Sequence, residues 1–275
     1  MENTIKVVIP TDFSVQGEYA YIMVKNLAEK LAMEITFLHV LSVPDTVTLN
    51  ADGTISTCGE IDVRFVEKQK EMAERKLADL QTAHGDSIKT ALVFGKPTTG
   101  IIEFAEGNHF DMIVMGTKGS SGLKERIVGS SAQVVARKSK VPVLSLMCDR
   151  SNFDLKKIVL VHNFEENENQ GLNLLNKFIV SFGTEVHLLQ ITDRQDHDAI
   201  KANMQKFAKN NDIENFEMHI IKDADVENGV IHFNQMNNMD MVCVGTHGTG
   251  GFFHSSSAER LINHMYKPVI SYRIK

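Results

Sequence analysis

Short apolar runs rich in β-branched residues recur along this chain. They fall at residues 5–9, 35–40, 89–94, 111–116 and 141–146, then again near 157–162, 185–191, 216–221, 240–245 and 268–273. Runs of this length bounded by polar segments read as strands buried on both faces. Between them, apolar positions fall at helical spacing. Tyr19, Ile22, Met23, Leu27 and Leu31 stripe residues 15–32, and Val66, Met72, Leu77 and Leu80 stripe residues 62–83. Strands alternating with helices predict right-handed crossovers and a parallel sheet covered on both faces.

The pattern is written twice. Ile5-Lys6-Val7-Val8-Ile9 matches Lys157-Ile158-Val159-Leu160-Val161, and Ile35–Val40 matches Val186–Ile191. Gly100-Ile101-Ile102-Glu103-Phe104 matches Gly229-Val230-Ile231-His232-Phe233, Asp111–Gly119 matches Asp240–Gly248, and Val141-Pro142-Val143 matches Lys267-Pro268-Val269. Matches kept in the same order mark an internal duplication. The expected fold class is therefore α/β: two tandem doubly wound, five-stranded parallel-sheet domains of Rossmann-like or flavodoxin-like type. The boundary falls in Cys148–Asp154, giving domains 1–148 and 154–275. That linker is too short to let the halves wander, so they should pack together. One difference stands out: the first copy carries a polar stretch, residues 42–61, where the second runs almost directly into its next helix.

Composition excludes several classes. A net charge of -6 argues against a nucleic-acid footprint. No apolar run reaches the ~18–20 residues of a membrane span, and Met1-Glu2-Asn3-Thr4 lacks a secretory build, so a cytoplasmic location is expected. Cys58, Cys148 and Cys243 are scattered and form neither a disulfide framework nor a thiolate zinc site. Cys243 reads as buried filler. Asp196-His197-Asp198 is a polar segment more readily solvated than metal-bound, and no metal ligand set is assigned. His39 and His187 read as satisfied strand residues.

Ligands of open parallel sheets sit beyond the carboxyl ends of the strands. After the fourth run comes Gly116-Thr117-Lys118-Gly119, then nine residues, then Gly129-Ser130-Ser131 opening a helix. Glycines let backbone N–H groups approach an anion, and a helix N-terminus adds free donors and a favourable dipole. Ser130 and Ser131 add hydroxyls, and Lys118 with Lys124 or Arg126 adds positive charge. After the first run comes Pro10-Thr11-Asp12-Phe13-Ser14. Asp12 or Ser14 there serves as a helix cap, as a ligand group for ribose or an adenine amine, or as both.

The spacing Gly116-x2-Gly119-x9-Gly129-Ser130 resembles the ATP-binding signature of the universal stress protein family. Pro10-Thr11-Asp12 and Val141-Pro142-Val143 resemble that family too, and the likeness spans both copies apart from residues 42–61. The resemblance implies a site for ATP with Mg2+. In it Asp12 and Val40 meet the adenine end, Pro10 and Met115 line the pocket, and Gly116, Gly119, Gly129, Ser130 and Ser131 hold ribose and phosphates; Thr11 and Lys118, on the same two loops, are further candidate binding residues. It also implies pairing of the two last strands as a pseudo-dimer within the chain, with a further homodimer open. The second copy departs from the signature. Gly245-x2-Gly248 remains, but the following loop is three residues shorter, Ser255 replaces Gly129, and Asn163 replaces Asp12. Nucleotide binding is expected only in the first copy.

The function that follows is an ATP-binding regulatory protein of the stress response. A slow ATPase or phosphotransfer enzyme is one alternative, although no Gly-x4-Gly-Lys-[Ser/Thr] loop and no Gly-x-Ser-x-Gly elbow occurs. An adaptor or dimerisation module that binds no nucleotide is the other.

Overall fold

The computed structural model describes residues 4–50, 53–58, 62–117, 130–165, 172–247, 261–262 and 264–274. In the first half the elements run β1 (Ile5–Pro10), α1 (Val15–Ala28), β2 (Met33–Leu41), β3 (Val47–Leu49), β4 (Ile55–Thr57), α2 (Val63–His84), β5 (Lys89–Phe94), α3 (Pro97–Gly107), β6 (Met112–Gly116), α4 (Ser130–Lys138) and β7 (Val143–Leu146). The second half runs β8 (Lys157–Val161), α5 (Asn173–Phe182), β9 (Glu185–Ile191), α6 (His197–Asn210), β10 (Phe216–Ile221), α7 (Val226–Asn237), β11 (Met241–His247) and β12 (Val269–Ile274).

Ten strands form one sheet in the order β10-β9-β8-β11-β12-β7-β6-β1-β2-β5. Read outward from the middle, both halves have the same doubly wound order, and among the described residues every pairing of this sheet within a half is parallel. The one antiparallel pairing of this sheet is β12 with β7, where Ile270 lies opposite Leu144. Two apolar edges that would otherwise stand open cover each other there.

The helices divide between the two faces. Ala20, Met23 and Leu27 of α1, Leu77 of α2, Phe178 of α5 and Phe207 of α6 pack on one core with Ile5, Phe37, Ile158 and Leu188. Ile101 of α3, Val135 of α4 and Phe233 of α7 pack on the other with Val8, Leu38, Val159 and Leu189. Each core runs unbroken through both halves. The Asn26 amide of α1 donates to the Arg150 carbonyl of the linker at 2.5 Å, and across the seam the Lys30 ammonium lies 4.7 Å over the Phe182 ring.

Small polar devices are also duplicated. Asp111 Oδ2 accepts from the Lys6 N–H at 2.8 Å at the start of β1, and Asp240 Oδ2 accepts from the Lys157 N–H at 2.8 Å at the start of β8. A Cβ added at Gly100 would meet Val40 at 2.9 Å, and one at Gly229 would meet Ile191 at 2.8 Å, so α3 and α7 lie equally close to their sheets.

The sequence reading had the element types right and some ends wrong. α1 stops at Ala28 rather than residue 32, and β7 begins at Val143 rather than 141. Pro142 cannot donate to the ladder, which accounts for the late start of β7. The polar stretch after β2 is not featureless: β3 and β4 form a hairpin of their own, tied to α2 by the Lys70 ammonium donating to the Gly53 carbonyl at 3.2 Å. No helix among the described residues is long and apolar enough to cross a membrane.

Candidate functional site

At the end of β1 the Thr11 N–H donates to the Leu38 carbonyl at 2.8 Å, carrying the pairing with β2 one residue past the strand. The chain then turns. Thr11 Oγ1 accepts from the Phe13 N–H at 2.9 Å, and Asp12 Oδ1 accepts from the Ser14 N–H at 3.0 Å. These two links hold Phe13 at φ 65°, a region bulky residues avoid unless the surroundings impose it. The turn delivers the chain to α1, where the Ser14 side chain makes no capping bond. Asp12 therefore acts in the turn before the helix rather than as its cap. Its side chain is exposed.

The first turn of α1 is pressed against the sheet. A Cβ added at Gly17 would lie 2.8 Å from Thr11 Oγ1, and one at Gly116 would lie 2.6 Å from the Gln16 carbonyl oxygen. Gly116 thus has a packing reason to be glycine, independent of any ligand. In the same region Ser14 Oγ and Gln16 Oε1 are buried with no hydrogen-bond partner among the described residues. Buried polar atoms normally find one, so these two are open to a bound group.

β1 lies between β2 and β6, which gathers the predicted residues at one edge. Pro10 ends β1 with Thr11 just beyond it, Val40 lies near the end of β2, and Met115 and Gly116 end β6. Val40 and Met115 are both buried in the core of the α3 and α4 face. α4 starts at Ser130, with Ser131 half-buried in its first turn. Lys118, Gly119 and Gly129 lie outside the described residues, as do Lys124 and Arg126. A cleft of about 490 Å3 lined by Thr11, Phe13, Ser14, Gly17, Phe37 and Lys76 opens beside α1 and α2. It shares Thr11 with the predicted set but lies on the sheet face opposite Val40 and Met115.

The corresponding turn after β8 keeps the backbone and changes the side chains. The His162 N–H donates to the Leu189 carbonyl at 3.2 Å, and His162 Nδ1 accepts from the Phe164 N–H at 2.8 Å. Asn163 Oδ1 accepts from the Glu165 N–H at 3.3 Å, and Phe164 stands at φ 57°. The shortened loop expected after β11, from Gly248 through Ala258, lies outside the described residues.

Asp196, in the segment weighed as a metal site, is taken by Arg194, whose guanidinium donates to both carboxylate oxygens at 3.0 and 2.5 Å. That contact holds the Asp196 carboxyl below its usual range. The strand histidines divide. His39 Nδ1 bonds the Thr11 carbonyl at 2.8 Å, as a satisfied strand residue should. His187 fits that expectation only in part: its Nδ1 lies 2.9 Å from His219 Nε2, but its Nε2 is buried without a hydrogen-bond partner among the described residues. Sequence reasoning also missed that His187, Glu217 and His219 converge. Their signal was present as a period-two spacing in two adjacent strands, but only the pairing register reveals it.

The family model described as the universal stress protein family matches residues 4–146. The chain belongs to the universal stress protein family. A universal stress protein of Methanocaldococcus jannaschii is 33% identical over 139 residues, covering 50% of this chain and 79% of that protein. A second from the same organism is 31% identical over 149 residues, covering 50% of this chain and 92% of that protein. The crystal structure of a universal stress protein from Archaeoglobus fulgidus superimposes with a TM-score of 0.73 at 21% identity, covering 98% of this chain and 96% of that one. That likeness extends the universal stress protein fold over both halves.

Proposed function

We propose that this protein is a cytoplasmic, ATP-binding regulator of the stress response that holds one adenine nucleotide, with Mg2+, in domain 1–148. Domain 154–275 acts as its structural partner. The observation that carries the reading is the convergence at one sheet edge of Pro10–Asp12, Val40, Met115–Gly116 and the start of α4, beside the unpartnered Ser14 Oγ and Gln16 Oε1. The glycine spacing from Gly116 to Gly129 supports a phosphate cradle in front of α4. In this role Asp12 and Val40 meet the adenosine end and Pro10, Thr11 and Met115 line the pocket. Gly116, Lys118, Gly119, Gly129, Ser130 and Ser131 hold ribose and phosphates. The β7–β12 pairing supports a pseudo-dimer built within one chain.

Calorimetric titration of Mg-ATP into the full chain tests the proposal. One site per chain is expected, abolished by Gly129→Val, with no phosphate released on standing. Gly116→Val is the poorer probe, because its clash with Gln16 would disturb α1. Absence of binding by folded wild-type protein would overturn the nucleotide reading, and steady phosphate release would replace the regulator with a slow ATPase.

A further inference from the structure

The outer edge of the second half carries chemistry that the nucleotide reading does not use. β10 is an edge strand of the sheet, and its parallel register with β9 sets Glu217 opposite His187. Side chains two apart share a face, so Glu185 and His187 of β9 stand together with Glu217 and His219 of β10. Phe233 of α7 packs against both imidazoles, with ring centres 6.2 Å from His187 and 4.8 Å from His219.

We propose that His187, Glu217 and His219 form a binding site for a divalent transition-metal ion of the zinc class. His187 Nδ1 lies 2.9 Å from His219 Nε2, and Glu217 Oε2 lies 3.7 Å from the first and 3.4 Å from the second. In a tetrahedral zinc site with bonds of about 2.0–2.1 Å, donor atoms stand about 3.3 Å apart. The three separations bracket that value, so an ion is accommodated by small side-chain adjustments. Two imidazoles and one carboxylate are a donor set suited to zinc, and three protein ligands leave one position for water. Glu217 is 58% exposed, which gives an ion a path from solvent.

The surroundings agree. His187 is 3% exposed, and Glu185 Oε1 lies 3.4 Å from its unpartnered Nε2. A ring that binds metal through Nδ1 carries its proton on Nε2, and a carboxylate facing that proton fixes the ring.

The first half shows what this edge looks like without such a site. By the repeat and the β2–β5 register, Thr36, Lys89 and Ala91 stand where the second half has His187, Glu217 and His219. There the Lys89 ammonium neutralises Glu34 at 2.8 Å. In the second half a carboxylate replaces that ammonium, so Glu185 and Glu217 flank the two imidazoles. Lys157 lies 3.8 Å from Glu185. A bound dication supplies positive charge at this spot.

A hydrogen bond between the two rings is the alternative account of the 2.9 Å contact, and metal titration separates the two. Full-length protein stripped with a chelator is titrated with Zn2+ against a chromophoric chelator, and with Co2+ followed by its visible ligand-field absorption. Wild type is expected to take up one equivalent of Zn2+ that His219→Ala removes, with affinity falling at least about 100-fold. Glu217→Gln, on the exposed edge and safe for folding, is expected to lose about 10-fold or more. Glu185→Gln is expected to lose 10–100-fold, as outer-shell partners do. Co2+ is expected to give an intense four-coordinate spectrum that His219→Ala abolishes. No uptake by wild type, or unchanged uptake by the folded His219→Ala and Glu217→Gln variants, would overturn the proposal.

Discussion

Thr11–Ser14 and His162–Glu165 leave the first strands of the two halves through the same turn. Each begins with a strand-extending bond to the neighbouring strand, at 2.8 and 3.2 Å. Each holds a phenylalanine at positive φ through a side chain two residues back. Each closes where the N–H after that phenylalanine donates to a side-chain oxygen, Asp12 Oδ1 at 3.0 Å or Asn163 Oδ1 at 3.3 Å. What differs is the chemistry around the turn. In the second half His162 is buried, with ring centres 5.3 Å from Phe164 and 5.4 Å from Phe207. In the first half Phe13 is half-buried, with His39 at 4.5 Å and the Lys76 ammonium 5.0 Å over its ring. The comparison teaches that the turn needs an acceptor oxygen at this position and not a charge. Asn163 serves the backbone nearly as well as Asp12, so the negative charge of Asp12 is surplus to folding and available to a ligand.

The largest effect expected from this comparison is on stability. Phe164 is 2% exposed, so Phe164→Ala should cost about 3–5 kcal/mol, as large-to-small core changes do. Phe13→Ala, at the half-buried position, should cost only about 1–2 kcal/mol. Urea unfolding monitored by circular dichroism checks both, and equal costs would mean that the two turns are packed alike. Next come the paired helix glycines. Gly100→Val and Gly229→Val should each cost about 1–3 kcal/mol, because Val40 and Ile191 stand within 2.9 Å of an added Cβ. A cost in one half alone would break the equivalence of α3 and α7. Smallest of all, Asn163→Asp, which keeps the side-chain oxygen that accepts from Glu165 at a half-buried position, should change stability by less than about 0.5 kcal/mol. It should also create no second ATP site, and a second equivalent in calorimetry would show that the carboxylate alone makes the site.

Much of the fold was legible in the sequence because buried parallel strands are continuous apolar runs and the duplication repeats them in order. Lys89–Phe94 and Glu185–Ile191 have the ends expected of them, since charged residues lead each run. The β3–β4 hairpin was not legible, because Val47-Thr48-Leu49 and Ile55-Ser56-Thr57 are too short and polar to stand out from a loop. At the candidate site, residue types were readable but their reasons were not. Gly116 reads as part of a phosphate cradle, and the sequence does not show that a Cβ there would also meet Gln16 Cβ at 2.5 Å and its carbonyl oxygen at 2.6 Å. Sequence position alone does not show that Asp12 Oδ1 closes the turn before α1 instead of capping the helix. The meeting of His187, Glu217 and His219 depends on strand register, a long-range property that local spacing does not carry.

The most direct test of the account is calorimetric titration of Mg-ATP into wild type and Asp12→Asn. The substitution installs the amide that the second half already carries and so leaves the turn intact. The account predicts unchanged unfolding and a loss of ATP affinity of about 10–100-fold, the value of one hydrogen bond to a charged group. Equal affinities in the two proteins would contradict the claim that the first half differs from the second by a carboxylate kept for nucleotide.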